Sequence, residues 1–323
     1  MSPAVVVLGV SRSGTTLLKE MLDTHSELAV PTESYFIPQL HDRHGDRPDA
    51  EAFLTDLGRL ARVREWGVTP EDVRARLPPE PTFAQAIQAV YRSYAAARGK
   101  SRFGDKTPAY MQQLDLLEHV FPGAQYVHLI RDGRDAALSF VAMRRRPRFN
   151  LARPRGIGSF ASQWKLEVEG ARRFGCRLGP ERYLELRYEE LVAEPEASLR
   201  RVCEFLGLAF EPPMLEYHRH IEIDRLEDHP RLAEPPTPGV RRWREEMSAA
   251  DAELFEAIAG GLLAELGYER VHPRPSAAAR ARAAFAEAAF RARLASWGAT
   301  LAVVRRSPAW RVRQAYIRRT AGA

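Results

Sequence analysis

Ala4-Val-Val-Val-Leu-Gly-Val-Ser-Arg-Ser-Gly-Thr-Thr16 is the stretch on which the fold turns. Its first seven residues form a short, continuously apolar, β-branched run. Such a run reads as a central strand covered on both faces, hence a parallel sheet flanked by helices. Ser11 to Thr16 is a polar loop, and Thr15 to Leu22 reads as the helix that follows. Working outward, Leu28 to Val30 is a candidate second short strand. Residues 40 to 100 carry Pro48, Pro70, Pro78, Pro79 and Pro81 and read as an excursion of two or three helices, the clearest being Phe83 to Arg98. Arg102 to Asp105 is a weak strand, and Leu114 to Phe121 is helical until Pro122-Gly123 ends it. Gln125 to Ile130 is a second buried strand with a helix from Gly133 to Arg145. Phe160 to Phe174 is an amphipathic helix, and Arg182 to Arg187 is a further strand. A helix from Glu196 to Leu206 stops at Gly207, residues 222 to 243 are irregular and proline-rich, and Asp251 to Leu266 is the last helix of the body. Alternation of strand and helix predicts an α/β protein, a three-layer P-loop-like fold with a mostly parallel central sheet, plus a C-terminal helical extension.

The 323 residues carry 48 basic and 42 acidic side chains, a formal charge of +6. That excess sits at one end. Val271 to Ala323 holds eleven Arg against one acid, Glu287, a net +10, which leaves Met1 to Arg270 with 37 basic and 41 acidic residues, a net −4. A basic nucleic-acid-binding body is therefore excluded as a class, and the chain divides into a body, 1–270, and a basic amphipathic helical tail, 271–323. Cys176 and Cys203 make no disulfide framework. With no visible signal peptide and no spanning apolar segment, the expected compartment is the cytoplasm, with peripheral membrane attachment through the tail left open. In the tail, Phe290, Leu294, Trp297, Leu301 and Val304 recur on one helix face, flanked by Arg280, Arg282, Arg291 and Arg293. Docking on the protein's own body, on a second subunit or on a membrane surface all fit that pattern.

Gly9-Val-Ser-Arg-Ser-Gly14-Thr15-Thr16 has the Gly-x4-Gly-x-[Ser/Thr] spacing of a phosphate loop. Backbone N–H groups at such a turn, with a helix N-terminus behind them, cradle an anion. Thr15, however, stands where a Walker lysine belongs, and Arg131 follows the second buried strand where a metal-binding Asp would be wanted. The loop brings its own cation, Arg12. Arg131 and Ser139 could hold a second phosphate, since the C-terminal strand ends of a parallel sheet share one edge. Two anion sites without metal ligands suggest a nucleotide phosphorylated at two positions. His41/His44 and His218/His220 have loose metal-like spacing, but no acid or Cys cluster completes a site in the sequence, so no metal is assigned.

The segments Gly9–Leu18 and Tyr126–Ser139 resemble the two cofactor motifs of sulfotransferases that use 3′-phosphoadenosine 5′-phosphosulfate (PAPS). The similarity is to the branch containing protein-tyrosine sulfotransferases and their bacterial relatives. It continues through Leu17–His25, Phe103-Gly-Asp-Lys-Thr-Pro108, Leu184–Val192 and Leu199–Gly207, and covers the body to Glu269 with gaps. The resemblance implies that Arg12, Ser13, Gly14, Thr15 and Thr16 bind the 5′-phosphosulfate. Arg131 and Ser139 would hold the 3′-phosphate, Tyr188 would touch the nucleotide, and Arg242 (or Arg241) would close over it. Glu33 aligns with the catalytic base, Lys106 with the lysine beside the reacting group, and Arg12 would stabilise transition-state charge. Thr32 and Tyr35 depart from the acidic and basic neighbours of a tyrosine-peptide site. The implied activity is sulfuryl transfer to a hydroxyl acceptor (phenol, tyrosine, sugar or lipid), with adenosine 3′,5′-bisphosphate as product. A P-loop kinase-like phosphotransferase and a non-catalytic nucleotide-binding scaffold are the alternative readings.

Overall fold

The computed structural model describes residues 2–143, 154–219, 221, 230–237 and 242–306, with side chains to residue 296 except those of 230 and 231. His220, Arg241 and the arginines at 144–146, 148 and 153 lie outside the described residues, as do the side chains of Trp297, Leu301 and Val304. Contacts divide the chain into two compact units, Met1–Arg131 with Gly170–Val240, and Asp132–Glu169 with Arg241–Ala323.

The first unit holds the sheet. Its strands are β1 (Val5–Leu8), β2 (Leu28–Ala29), β3 (Arg102–Asp105), β4 (Gln125–Ile130) and β5 (Tyr183–Arg187). They pair in the order β2-β3-β1-β4-β5, all parallel, with Val5 opposite both Gly104 and Gln125. Alternate residues of a strand face opposite sides. Val5, Val7, Val127 and Leu129 face a core made by α1 (Thr15–Asp23), α10 (Tyr188–Ala193), α11 (Pro195–Leu206) and the 3-10 helix Pro212–Arg219. On the other side, Phe103 stacks on Tyr91 of α6 (Phe83–Ala96) and on Phe121, just after α7 (Leu114–Val120). Tyr126 there meets Phe174 of α9 (Ile157–Leu178), whose residues from Gly170 onward belong to this unit. Sheet and two helical layers are the three layers expected.

The excursion is more finely divided than two or three helices. It contains five: α2 (Ile37–His44), α3 (Ala50–Gly58), α4 (Ala61–Glu65), α5 (Pro70–Arg74) and α6. The four before α6 are only five to nine residues long. Segments of that length are too short to show a hydrophobic period, and local caps help to fix them. Asp49 accepts from the Ala52 N–H, and Thr69 with Asp72 forms a capping box.

The second unit is helical: α8 (Gly133–Val141), the first part of α9, α12 (Trp243–Glu246), α13 (Ala249–Glu265) and α14 (Ala277–Arg306). Trp164 is fully buried against Phe255 and sits so close to Gly133 that a Cβ there would overlap both rings. Arg134 is buried as well. Its guanidinium donates to Asp132 and Glu256, each at 2.7 Å, and lies over the Trp243 ring, so the charge is fully partnered. Asp132 also caps α8, and Asp135 accepts from the Trp243 N–H. α14 packs on α13 through Ala279, Ala283 and Phe290, with Ser276 N–H donating to Glu253 and Lys165 pairing with Glu287. No helix among the described residues is long and apolar enough to cross a membrane.

Candidate active site

Strand order places the site. From β1 the sheet runs to β3 and then β2 on one side and to β4 and then β5 on the other, so the connections leaving β1 and β4 go opposite ways and a crevice opens beyond their C-terminal ends. β1 runs into the Gly9–Gly14 loop, β3 into Lys106 and β4 into Arg131, three segments that sequence alone put forward.

The loop is shaped to expose backbone. Arg12 has φ 74° and Gly14 φ 89°, both left-handed, and Ser13 N–H closes a turn onto the Val10 carbonyl. Consecutive left- and right-handed residues turn N–H groups into one concavity, and Gly14 caps α1 without a side-chain partner. Side chains are excluded from the cradle's walls. A Cβ on Gly9 would lie 2.8 Å from the Leu129 carbonyl, and one on Gly14 would lie 2.4 Å from the Tyr188 ring. Tyr188, the first residue of α10, also stacks under the Arg131 guanidinium at 4.4 Å, while Arg131 donates to the Arg12 carbonyl. These features fit an anionic phosphate ester, because the walls are Cβ-free backbone and the flanking side chains Arg12 and Arg131 are cationic.

Lys106 joins two other predicted residues, Glu33 and Thr16. It is only 3% exposed, and its Nζ donates to Glu33 Oε1 at 2.6 Å and to Thr16 Oγ1 at 3.1 Å. Glu33 is one-quarter exposed, and the Tyr35 hydroxyl donates to its other oxygen. Tyr35 itself has a left-handed φ of 56°. The segment carrying Glu33 is anchored upstream. Asp23, held by Lys19, accepts from the Val30 N–H, and Trp66 Nε1 donates to Thr32.

Beneath this pair lies a buried network that sequence reasoning missed. Asp105 Oδ2 accepts from the hydroxyls of Tyr91, Ser34 and Thr107 at 2.6, 3.0 and 3.1 Å. Ser34 Oγ in turn meets Tyr110 OH at 2.7 Å, and Tyr110 OH accepts from Ile37 N–H. Every hydroxyl proton thus has an acceptor, while the other Asp105 oxygen, Oδ1, is buried without a hydrogen-bond partner among the described residues. The network joins Glu33-Ser34 to Asp105-Lys106-Thr107 and so sets Glu33 and Lys106 against each other. A hint lay in Gly104-Asp105-Lys106-Thr107-Pro108, but its partners are distant in sequence.

Burial pushes the Asp105 carboxyl up to about 6 from 3.8, despite the hydroxyl donors and Lys106, which favour its charged form. The folded protein therefore holds this proton at a pH where the unfolded chain has released it. Asp105 then favours the fold below about pH 4, and that contribution fades as pH rises to about 6. Asp105→Asn, whose amide oxygen can keep the three donors, should gain stability relative to wild type by roughly 2–3 kcal/mol between pH 4 and 7. Denaturant melts at the two pH values check this; a constant difference refutes it.

The remaining predicted residues belong to the second unit. Ser139 is half-buried on α8. Arg242 is exposed and pairs with Glu245 at 3.2 Å. Trp164 is core.

The sequence profile of a family described as "Sulfotransferase family" matches residues 3–212. The chain is 27% identical over 223 residues to "Protein-tyrosine sulfotransferase A" of Caenorhabditis elegans, covering 69% of this chain and 54% of that one. It is 28% identical over 293 residues to "Nodulation protein NoeE" of Sinorhizobium fredii, covering 82% and 65%. The chain thus spans between about half and two thirds of these relatives' length. Among solved structures, it is similar to the sulfotransferase domain from the Synechococcus PCC 7002 olefin synthase, with a TM-score of 0.58, 26% identity, and 83% and 95% of the two chains covered.

Proposed function

The chain belongs to the sulfotransferase family, and from that premise we propose that it transfers a sulfuryl group from PAPS to a hydroxyl acceptor. The observation that supports this best is the Lys106 ammonium bonded at once to Glu33 and to Thr16 of the phosphate loop. When bound, PAPS supplies the sulfuryl group, and adenosine 3′,5′-bisphosphate leaves. The chain's own work is binding, orientation and proton removal. Backbone N–H groups of Gly14 to Thr16 hold the 5′-phosphosulfate at the N-terminus of α1, with the Ser13 side chain beside them. Glu33 takes the proton from the acceptor hydroxyl, which is a poor nucleophile until it loses it. Lys106 and Arg12 supply positive charge where the bridging oxygen turns negative, so their attraction grows towards the transition state. Arg131, with Tyr188 under it, receives the 3′-phosphate; Ser139 and Arg242 share that role on the strength of the resemblance. The acceptor class is a phenol, tyrosine, sugar or lipid hydroxyl, and Thr32 and Tyr35 weigh against an acidic tyrosine peptide.

Radiolabelled PAPS incubated with the protein and a panel of hydroxyl acceptors, without added Mg²⁺, tests the reading. Labelled product together with saturable one-to-one binding of adenosine 3′,5′-bisphosphate is expected. Transfer of a phosphoryl group from ATP, or absence of both label and bisphosphate binding, overturns it.

A further inference from the structure

The histidine spacing noted in the sequence resolves in an unexpected way. His41 and His44 share α2 but take different partners. His44 turns to the buried Asp56 at 3.1 Å. His41 turns to Asp46, with Nε2 3.0 Å from Oδ1, and His119 of α7 brings its own Nε2 to 3.1 Å from the same oxygen. The three ligand atoms all lie within 4.8 Å of one another. The cluster is held from behind. The His41 ring packs edge-on against Phe83, with centroids 4.9 Å apart, and the Asp46 carbonyl accepts from the Phe83 N–H at 2.8 Å. Asp46 and His119 are exposed and His41 is half-buried, so the group is open to an incoming ion.

We propose that His41, Asp46 and His119 bind one borderline divalent transition-metal ion, of which Zn²⁺ is the type, as a clamp between the end of α2 and α7. Imidazole nitrogen and carboxylate oxygen are the ligands such ions prefer. A tetrahedral ion with bonds of about 2.0–2.2 Å holds its ligand atoms roughly 3.3–3.5 Å apart. Here the nitrogen–oxygen separations are 3.0 and 3.1 Å and all three atoms lie within 4.8 Å of one another, so adjustment of partly exposed side chains admits the ion. Three protein ligands leave the fourth position to water. No residue of the Glu33–Lys106–Thr16 cluster takes part, which separates this site from sulfate transfer. Its consequence is structural. The loop that leads into α3 is stapled to a helix that follows β3, and the excursion between them is constrained at its base.

The test uses the full chain and Zn²⁺ alone, in competition with a chromophoric chelator, with Co²⁺ absorption in the visible as the report of tetrahedral coordination. Wild type is expected to bind one equivalent at micromolar free metal, with a rise in thermal midpoint that follows mass action. His41→Ala and His119→Ala should each weaken binding at least about tenfold and abolish the thermal shift. His218→Ala, which leaves all three ligands in place, should do neither. Because Asp46 and His119 are exposed, a second check, Asp46→Asn, is available without risk to the core, and it should also weaken binding. Wild type binding Zn²⁺ no more tightly than the His41→Ala/His119→Ala double variant overturns the proposal, as does a Co²⁺ spectrum unchanged by the double substitution.

Discussion

Lys106→Ala is expected to lower the rate of sulfate transfer by about 100- to 1,000-fold, the usual cost of removing one preorganised donor from a developing oxyanion. Position is the reason. Lys106 follows β3 directly, is almost wholly buried, and spends its ammonium on Glu33 and Thr16. In a site with little water such a donor is already aimed before reaction, so no reorganisation is needed at the barrier. Alanine removes that charge and also leaves the Glu33 carboxylate without its 2.6 Å partner. Lys106→Arg should not restore the rate, because a planar fork cannot occupy the place of a compact ammonium. The check is kcat with adenosine bisphosphate affinity measured beside it. A rate within a few-fold of wild type would remove Lys106 from the catalytic set.

Glu33→Gln carries the second large effect, a fall in kcat of about 100- to 10,000-fold. The amide keeps the size of the side chain and an oxygen that can accept from Lys106, but it cannot take the acceptor's proton. Nucleotide affinity should therefore hold steady while turnover collapses. That split distinguishes a lost base from a disturbed loop. If KM for PAPS rises instead and kcat survives, Glu33 positions the loop and another group removes the proton.

What the sequence disclosed follows a physical line. β1 and β4 were legible because strands covered on both faces must be apolar throughout, and Gly9 and Gly14 because backbone needs room beside Leu129 and Tyr188. Glu33, Lys106 and Thr16 were named separately, and the structure brings them within hydrogen-bonding distance. The short helices of the excursion were not legible, since their stability rests on caps and packing rather than on a period. Nor was the Asp105 network, whose members Ser34, Tyr91 and Tyr110 are ordinary residues until the fold assembles them. The pairing of His41 with His119 was hidden for the same reason. Local spacing offered His44 instead, which burial and Asp56 claim.

The Gly14–Tyr188 contact has a dynamic consequence. Tyr188 directly follows β5, which among the described strands pairs with β4 alone and so forms an edge of the sheet. Edge elements open locally at lower free energy than the centre. The Tyr188 ring leaves no space for even a methyl group beside Gly14, so the wall of the Gly9–Gly14 loop and the end of β5 are packed together. Fraying of the edge strand is therefore expected to loosen Tyr188 against Gly14. If the loop binds an anion as proposed, hydrogen exchange in β5 should slow when adenosine 3′,5′-bisphosphate is added.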